Sequence, residues 1–261
     1  MKFAITGKGG TGKTTIAGIL AHFFNNAGYK VLAVDSDPDS NLASAIGVPV
    51  ELASSIIPIS EQRRLIKERT GAQPRQFGQL FKLNPTVNDI PDEFCINFDG
   101  IKLLVMGAIR KAGSGCACPE NVLLRSLLSE IILNRNEVVI VDMEAGIEHL
   151  GRATARSIDK MLIIVEPGSR SIDTAKTIMK LSKEIGIHSF GIISNKIQDK
   201  NQKEWIKAQF QQNIILGMIS YNEIIRDSDL LQQPLIKLID ENLKEEFNKI
   251  FHAISSNTQA R

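Results

Sequence analysis

The chain has 261 residues, enough for one large domain or two small ones with a sizeable buried core. Its 31 basic and 29 acidic residues leave a formal charge of +2, which gives no bulk attraction to nucleic acid or to a membrane surface. No long uncharged apolar run and no signal-peptide layout is present, and three cysteines make no even-numbered disulfide framework, so a reduced, cytoplasmic protein is expected.

Residues 2–6 read as a short buried strand and residues 15–24 as a helix. Between them runs Gly7-Lys8-Gly9-Gly10-Thr11-Gly12-Lys13-Thr14, a Gly, four residues, then Gly-Lys-Thr: the phosphate-loop pattern in the strand–turn–helix context it requires. The glycines allow successive backbone N–H groups to turn inward on phosphate oxygens, and the following helix adds its positive dipole end. Lys13 can reach the β- and γ-phosphates and the Thr14 hydroxyl can ligate Mg²⁺. Gly9, Gly10, Thr11, Gly12, Lys13, Thr14 and Thr15 are the expected contacts to ATP or ADP.

Further strands are expected at residues 30–35, 101–106, 138–142, 161–165, 190–194 and 214–219, each a nearly continuous apolar run. Helical patterns fall between them, at 120–134, 170–185 and 202–212. The alternation implies a doubly wound, mostly parallel α/β sheet with helices on both faces, and ligands then bind at the carboxyl ends of the strands. Residues 51–70 read as helical, while 71–100 contain three prolines and no clear period, so residues 50–100 are expected to form an irregular insertion in an otherwise single P-loop ATPase domain spanning 1–261. Residues 237–254 read as an amphipathic helix with Ile239, Leu243, Phe247, Ile250, Phe251 and Ile254 on one stripe; its mixed-charge polar side favours core packing over membrane binding.

The polar candidates stand at strand ends. Asp35 and Asp37, in Asp35-Ser36-Asp37-Pro38, would face the phosphates or else close an Asx-turn. Asp142 ends a Walker B strand and should bind a Mg²⁺ water. Asn195 and Asn222 follow the last two strands, Asn222 being equally suited to a helix cap. In Cys116-Ala117-Cys118, residues two apart point the same way in an extended segment and can share one metal. A tetrahedral Zn²⁺ or square-planar Ni²⁺ site needs four ligands, which a two-fold dimer would supply; idle thiols and a redox pair are the alternatives.

The second lysine of the loop, Lys8, resembles the signature lysine of the MinD, ParA and nitrogenase iron-protein ATPases. That resemblance implies ATP-dependent homodimerisation, with Lys8 reaching the partner's nucleotide. It also implies that Asp37 orients the attacking water, that Asp35 helps organise Mg²⁺ and its waters, that the Gly146 N–H in Met143-Glu144-Ala145-Gly146 senses the γ-phosphate, and that Asn195, with the segment around Asn222, holds adenine. Many of these relatives have Pro where this chain has Ser220. The aspartate motif, the two-cysteine loop Cys116–Asn121 and the run Asp142–Leu150, in that order, look like the CooC-type nickel-insertion ATPases. This resemblance implies Ni²⁺ or Zn²⁺ between subunits and carbon monoxide dehydrogenase as client. The maturation ATPases of acetyl-CoA synthase share the cysteine loop and are the alternative. A MinD/ParA-like positioning ATPase would leave Cys116 and Cys118 without a role. An iron–sulfur electron-transfer ATPase would use cysteines far apart in sequence. No nucleic-acid or membrane partner is expected.

Overall fold

Apolar runs buried on both sides become the strands of one sheet, and amphipathic runs become the helices that cover it. The computed structural model describes all residues except 75, 77, 108–117, 145–149, 151, 232 and 257–261. In chain order the elements are β1 (Lys2–Gly7), α1 (Lys13–Asn26), β2 (Val31–Ser36), α2 (Leu42–Ile46), α3 (Val50–Ala53), α4 (Arg63–Thr70), α5 (Ile90–Phe94), β3 (Ile96–Phe98), β4 (Ile101–Val105) and α6 (Pro119–Asn134). There follow β5 (Val138–Met143), α7 (Arg152–Arg156), β6 (Lys160–Val165), α8 (Ser169–Ile185), β7 (Phe190–Ile197), α9 (Lys200–Gln209), β8 (Ile215–Ser220), α10 (Glu223–Leu230), α11 (Leu235–Leu238) and α12 (Glu241–Ser256).

The strands form an eight-stranded sheet in the order β3-β4-β2-β5-β1-β6-β7-β8. Every pairing is parallel except β3 with β4, which confirms the doubly wound α/β expectation. The register sets Phe3 beside Ile140 and Asp35 beside Asp142, so both aspartates reach the same carboxyl edge. Side chains alternate between two cores. Phe3, Ile5, Ile140 and Leu162 pack with α1, α2 and α12, while Ala4, Val139, Val141 and Ile163 pack with α4, α6 and α8. Each strand is therefore apolar on both faces, which is why the strand runs stand out in the sequence.

The insertion departs from expectation. Residues 51–70 are not one helix: α3 stops at Ala53, a short 3₁₀ turn covers Ile59–Glu61, and α4 begins at Arg63. Pro58 causes the break, since it has no N–H and disfavours helical geometry at Ile57. Within 71–100 the chain forms α5 and the short edge strand β3. Asp99 and Gly100, at φ 49° and 81°, make the two-residue turn that pairs β3 antiparallel with β4. The tail also differs. After Pro234 comes α11, and Asp240 then caps a new helix, its Oδ1 accepting from the Leu243 N–H at 2.7 Å, so the stripe expected over 237–254 starts at α12. Leu243, Phe247, Ile250 and Ile254 are buried, and the Phe24 and Phe251 rings meet edge to face at 5.0 Å between α1 and α12. No described helix is long and apolar enough to cross a membrane.

Candidate nucleotide site

A cleft of about 1060 Å³, at the top of the size scale of small-molecule sites, opens along the carboxyl edge of the sheet. Gly9, Gly10, Gly12, Lys13, Thr14 and Thr15 line its middle, with Asp37, Asp39 and Glu144 on one side and Asn195, Lys196, Ser220, Tyr221 and Asn222 on the other. Lys13 is buried. Thr11 lies beneath the loop, its hydroxyl donating to the Lys8 carbonyl at 2.8 Å and its own N–H closing the same turn at 3.3 Å. The Gly12 carbonyl accepts the first helical bond, from the Ile16 N–H at 3.0 Å. A second hollow, about 370 Å³, lies away from this edge between Lys30 and Glu137. There the Arg135 guanidinium is already committed to Asp92 and Glu137, so it offers no free fork to a ligand.

The loop is gripped from β7, a feature the sequence reading did not assign. The Asn195 amide donates to the Thr11 carbonyl at 2.9 Å, and the Lys196 ammonium donates to the Gly10 carbonyl at 2.6 Å. Holding these two carbonyls outward leaves the loop's N–H groups free to face phosphate. Lys196 adopts φ 60°, rare for a residue with a side chain, and the Asn195 Oδ1 steadies that turn by accepting the Lys196 N–H at 2.9 Å. The fit is close. Gly12 stands at φ 92°, and a Cβ there would fall 2.5 Å from Asn195 Nδ2. Asn195 thus spends one amide N–H on the loop and its oxygen on the neighbouring Lys196 N–H, and its side chain is buried.

Glu166, at the end of β6, collects both lysines of this region. One oxygen lies 3.5 Å from Lys8 Nζ and the other 3.2 Å from Lys196 Nζ. Lys8 is 40% exposed, so the pair leaves it free to move.

Asp35 is anchored at the end of β2. Its Oδ2 accepts from the Ser40 hydroxyl at 2.6 Å and the Leu42 N–H at 3.0 Å, and its Oδ1 from the Asp37 N–H at 3.2 Å. Asp37 accepts from the Asp39 N–H at 3.0 Å and borders the cleft. Both aspartates therefore close Asx-type turns. Burial pushes the Asp35 carboxyl above its usual range against those hydrogen bonds. Asp142 is fully buried beside it, and among the described residues neither of its oxygens has a hydrogen-bond partner. Burial pushes its carboxyl up to about 7; the nearby Thr14 hydroxyl and Lys13 ammonium oppose this, and Asp35 and Asp37 reinforce it. An unsatisfied buried carboxyl next to the loop threonine fits a divalent cation such as Mg²⁺, with Thr14 and Asp142 as its holders.

On the far side, the Asn222 Oδ1 caps α10 by accepting the Ile224 N–H at 2.9 Å, and its amide donates to Asp240 at 3.1 Å. Gly146 and His149 lie outside the described residues, as does Cys116. Cys118 is the residue before α6, and burial raises its half-buried thiol while the Asn121 N–H pulls it back. Cys95 is packed against the core and pushed up to about 12 by burial, an inert thiol. Among the described residues no three or more His, Cys, Asp or Glu side chains converge as a metal site.

This loop, its clamp and the carboxylates at two neighbouring strand ends define a phosphate-loop nucleotide-binding protein. The chain belongs to the CobQ/CobB/MinD/ParA nucleotide binding domain family, whose model matches residues 2–235. It is an ATPase. It is 48% identical over 229 residues to the carbon monoxide dehydrogenase accessory protein CooC of Rhodospirillum rubrum, covering 88% of this chain and 87% of that one. It is 46% identical over 257 residues to an uncharacterized ATP-binding protein of Methanocaldococcus jannaschii, covering 97% of each. Among solved structures it resembles MinD in the MinC:MinD cell division complex of Aquifex aeolicus, with a TM-score of 0.68 at 19% identity over 97% of this chain and 95% of that one.

Proposed function

We propose that this chain is an ATP-hydrolysing metallochaperone that binds nickel or zinc between two subunits and assists nickel insertion into carbon monoxide dehydrogenase. The observation that carries the reading is the 48% identity to CooC over most of both chains. The position of the cysteine loop supports it. In the sequence Cys116 and Cys118 fall between β4 and α6, and Cys118, which lies among the described residues, immediately precedes α6. One chain offers two thiols and a four-ligand metal needs four, so two copies would complete the site.

In this reading the chain works as a cytoplasmic homodimer built from one ATPase domain. Lys13 and the N–H groups of Gly9 to Thr15 hold the phosphates. Asp37 orients the attacking water, and Lys8 leaves Glu166 to meet the partner's nucleotide. The Gly146 N–H senses the γ-phosphate, so hydrolysis releases the segment that carries it. Asn195 and Asn222 border the base. A cation held by Thr14 and Asp142 would neutralise charge developing on the transferred phosphoryl group. ATP-driven closure then brings the cysteine pairs together, and hydrolysis frees the metal for the client.

The test is Ni²⁺ and Zn²⁺ stoichiometry with sizing in the same run, for wild type and Cys116→Ser/Cys118→Ser. One metal per two chains, lost in the double variant, is the expected result. Metal uptake untouched by the substitutions would refute the intersubunit site. Lys8→Ala should still bind nucleotide and fail to dimerise with ATP in sedimentation.

A further inference from the structure

The sheet order gives a bound nucleotide its direction. The buried carboxylates Asp35 and Asp142 come from β2 and β5, on one side of β1. On the other side, β7 and β8 bring Asn195 and Ser220, and the cleft continues past Tyr221, Asn222, Ile225 and Arg226, with no carboxylate among them. A polyphosphate with its cation belongs on the first side, and an uncharged heterocycle belongs on the second.

That second wall is tied to the last helix. The Ser220 N–H donates to Glu246 Oε2 at 2.9 Å and the Ser220 hydroxyl donates to Glu246 Oε1 at 2.7 Å. Tyr221 is tied to β7 by its N–H, which donates to the Ile197 carbonyl at 2.8 Å. Asn222 is tied to Asp240, the residue that caps α12. Glu246 itself is placed by a rigid element. The next residue, Phe247, is fully buried and packs at a tilt against Phe23 of α1, ring centroids 6.1 Å apart. Ile250, one turn on, fills the space that a side chain at Gly217 of β8 would take. A carboxylate accepting two donors from one residue is charge-assisted and fixes both position and orientation.

We propose that Glu246 is a positioning residue for nucleotide recognition: by holding Ser220 it fixes the wall on which the base packs, so α12 sets base affinity and base selectivity separately from the phosphate loop. The phosphate loop has its own clamp, Asn195 and Lys196, which Glu246 does not touch. Loss of Glu246 should therefore weaken binding of the base and leave binding of the phosphates alone.

The test is calorimetric binding of ATP, ADP, GTP and inorganic tripolyphosphate to the full chain with Mg²⁺, beside steady-state hydrolysis. Glu246→Ala should weaken ATP and ADP about tenfold and narrow the preference for ATP over GTP. Its kcat at saturating ATP and its tripolyphosphate affinity should equal those of wild type. Glu246→Gln should restore ATP affinity, because its amide can accept from the Ser220 N–H and donate to the Ser220 Oγ. Unchanged ATP affinity in Glu246→Ala, an equal loss for ATP and tripolyphosphate, or failure of the Gln variant to restore binding would each overturn the proposal. Should Glu246→Ala not fold, Ser220→Ala serves instead. It should lose ATP affinity severalfold with tripolyphosphate unaffected, and equal binding of wild type and Ser220→Ala to ATP would overturn it.

Discussion

Gly12→Ala tests the clamp on the phosphate loop. Gly12 stands at φ 92° and ψ 25°, a left-handed conformation that costs a residue with a Cβ about 1–2 kcal/mol. The new methyl would also fall 2.5 Å from Asn195 Nδ2, so the buried amide must withdraw from the Thr11 carbonyl. Losing that hydrogen bond and leaving a buried polar group unsatisfied adds about 1–2 kcal/mol. Gly12→Ala should therefore destabilise the free chain by about 2–4 kcal/mol in urea titration. Gly9 is the internal control. No atom lies within 4 Å of a Cβ built there, and Gly9→Ala should stay within about 0.5 kcal/mol of wild type. Asn195→Ala supplies the third corner of a cycle. On that background Gly12→Ala should cost only its backbone strain, so the two substitutions are less than additive by about 1 kcal/mol. A Gly12→Ala chain no less stable than Gly9→Ala, or two effects that simply add, would refute the clamp.

Asp142 carries a carboxyl raised from 3.8 to about 7, so between those values the folded chain holds a proton that the unfolded chain has released. Stability then falls as pH rises through that window, by up to roughly 4 kcal/mol, and stays reduced above it. Asp142→Asn should flatten this slope in thermal melts of the nucleotide-free chain at pH 5 and pH 8; identical slopes in both proteins would contradict the burial account. Phe247→Ala should cost about 3–5 kcal/mol in urea unfolding, because the ring is fully buried between α12 and α1, and a loss below about 1 kcal/mol would mean the helix is not a core element. Asp37→Ala should bind ATP and accumulate the ATP-bound form, and rapid turnover by that variant would remove Asp37 from the water-orienting role.

Much of the fold could be read in the sequence because parallel strands covered on both faces are continuous apolar runs, as in residues 138–141 and 161–165. The phosphate loop could be read for a different reason: its chemistry is local, and eight consecutive residues carry it. What escaped was non-local or short. β3 has only three residues, yet Asp99-Gly100 before β4 is a strong hairpin signal that a reading in terms of period alone passes over. The helix expected through 51–70 ignored what Pro58 does to the residue before it. Asn195 was recognisable as a polar residue at a strand end, but its grip on the Thr11 carbonyl joins positions 184 apart, and no spacing rule reports that. Lys196, Glu166 and Glu246 escaped for the same reason: each acquires its role from partners that only the folded sheet brings near.

The proposed function is delivery of nickel to an enzyme. The direct measurement is CO oxidation by nickel-free carbon monoxide dehydrogenase after incubation with Ni²⁺, ATP and this chain. Activity should appear with wild type, and should be absent with Lys13→Ala and with Cys116→Ser/Cys118→Ser. Activation equal with and without the chain, or undiminished in both variants, would contradict the account and leave an ATPase whose client is another protein.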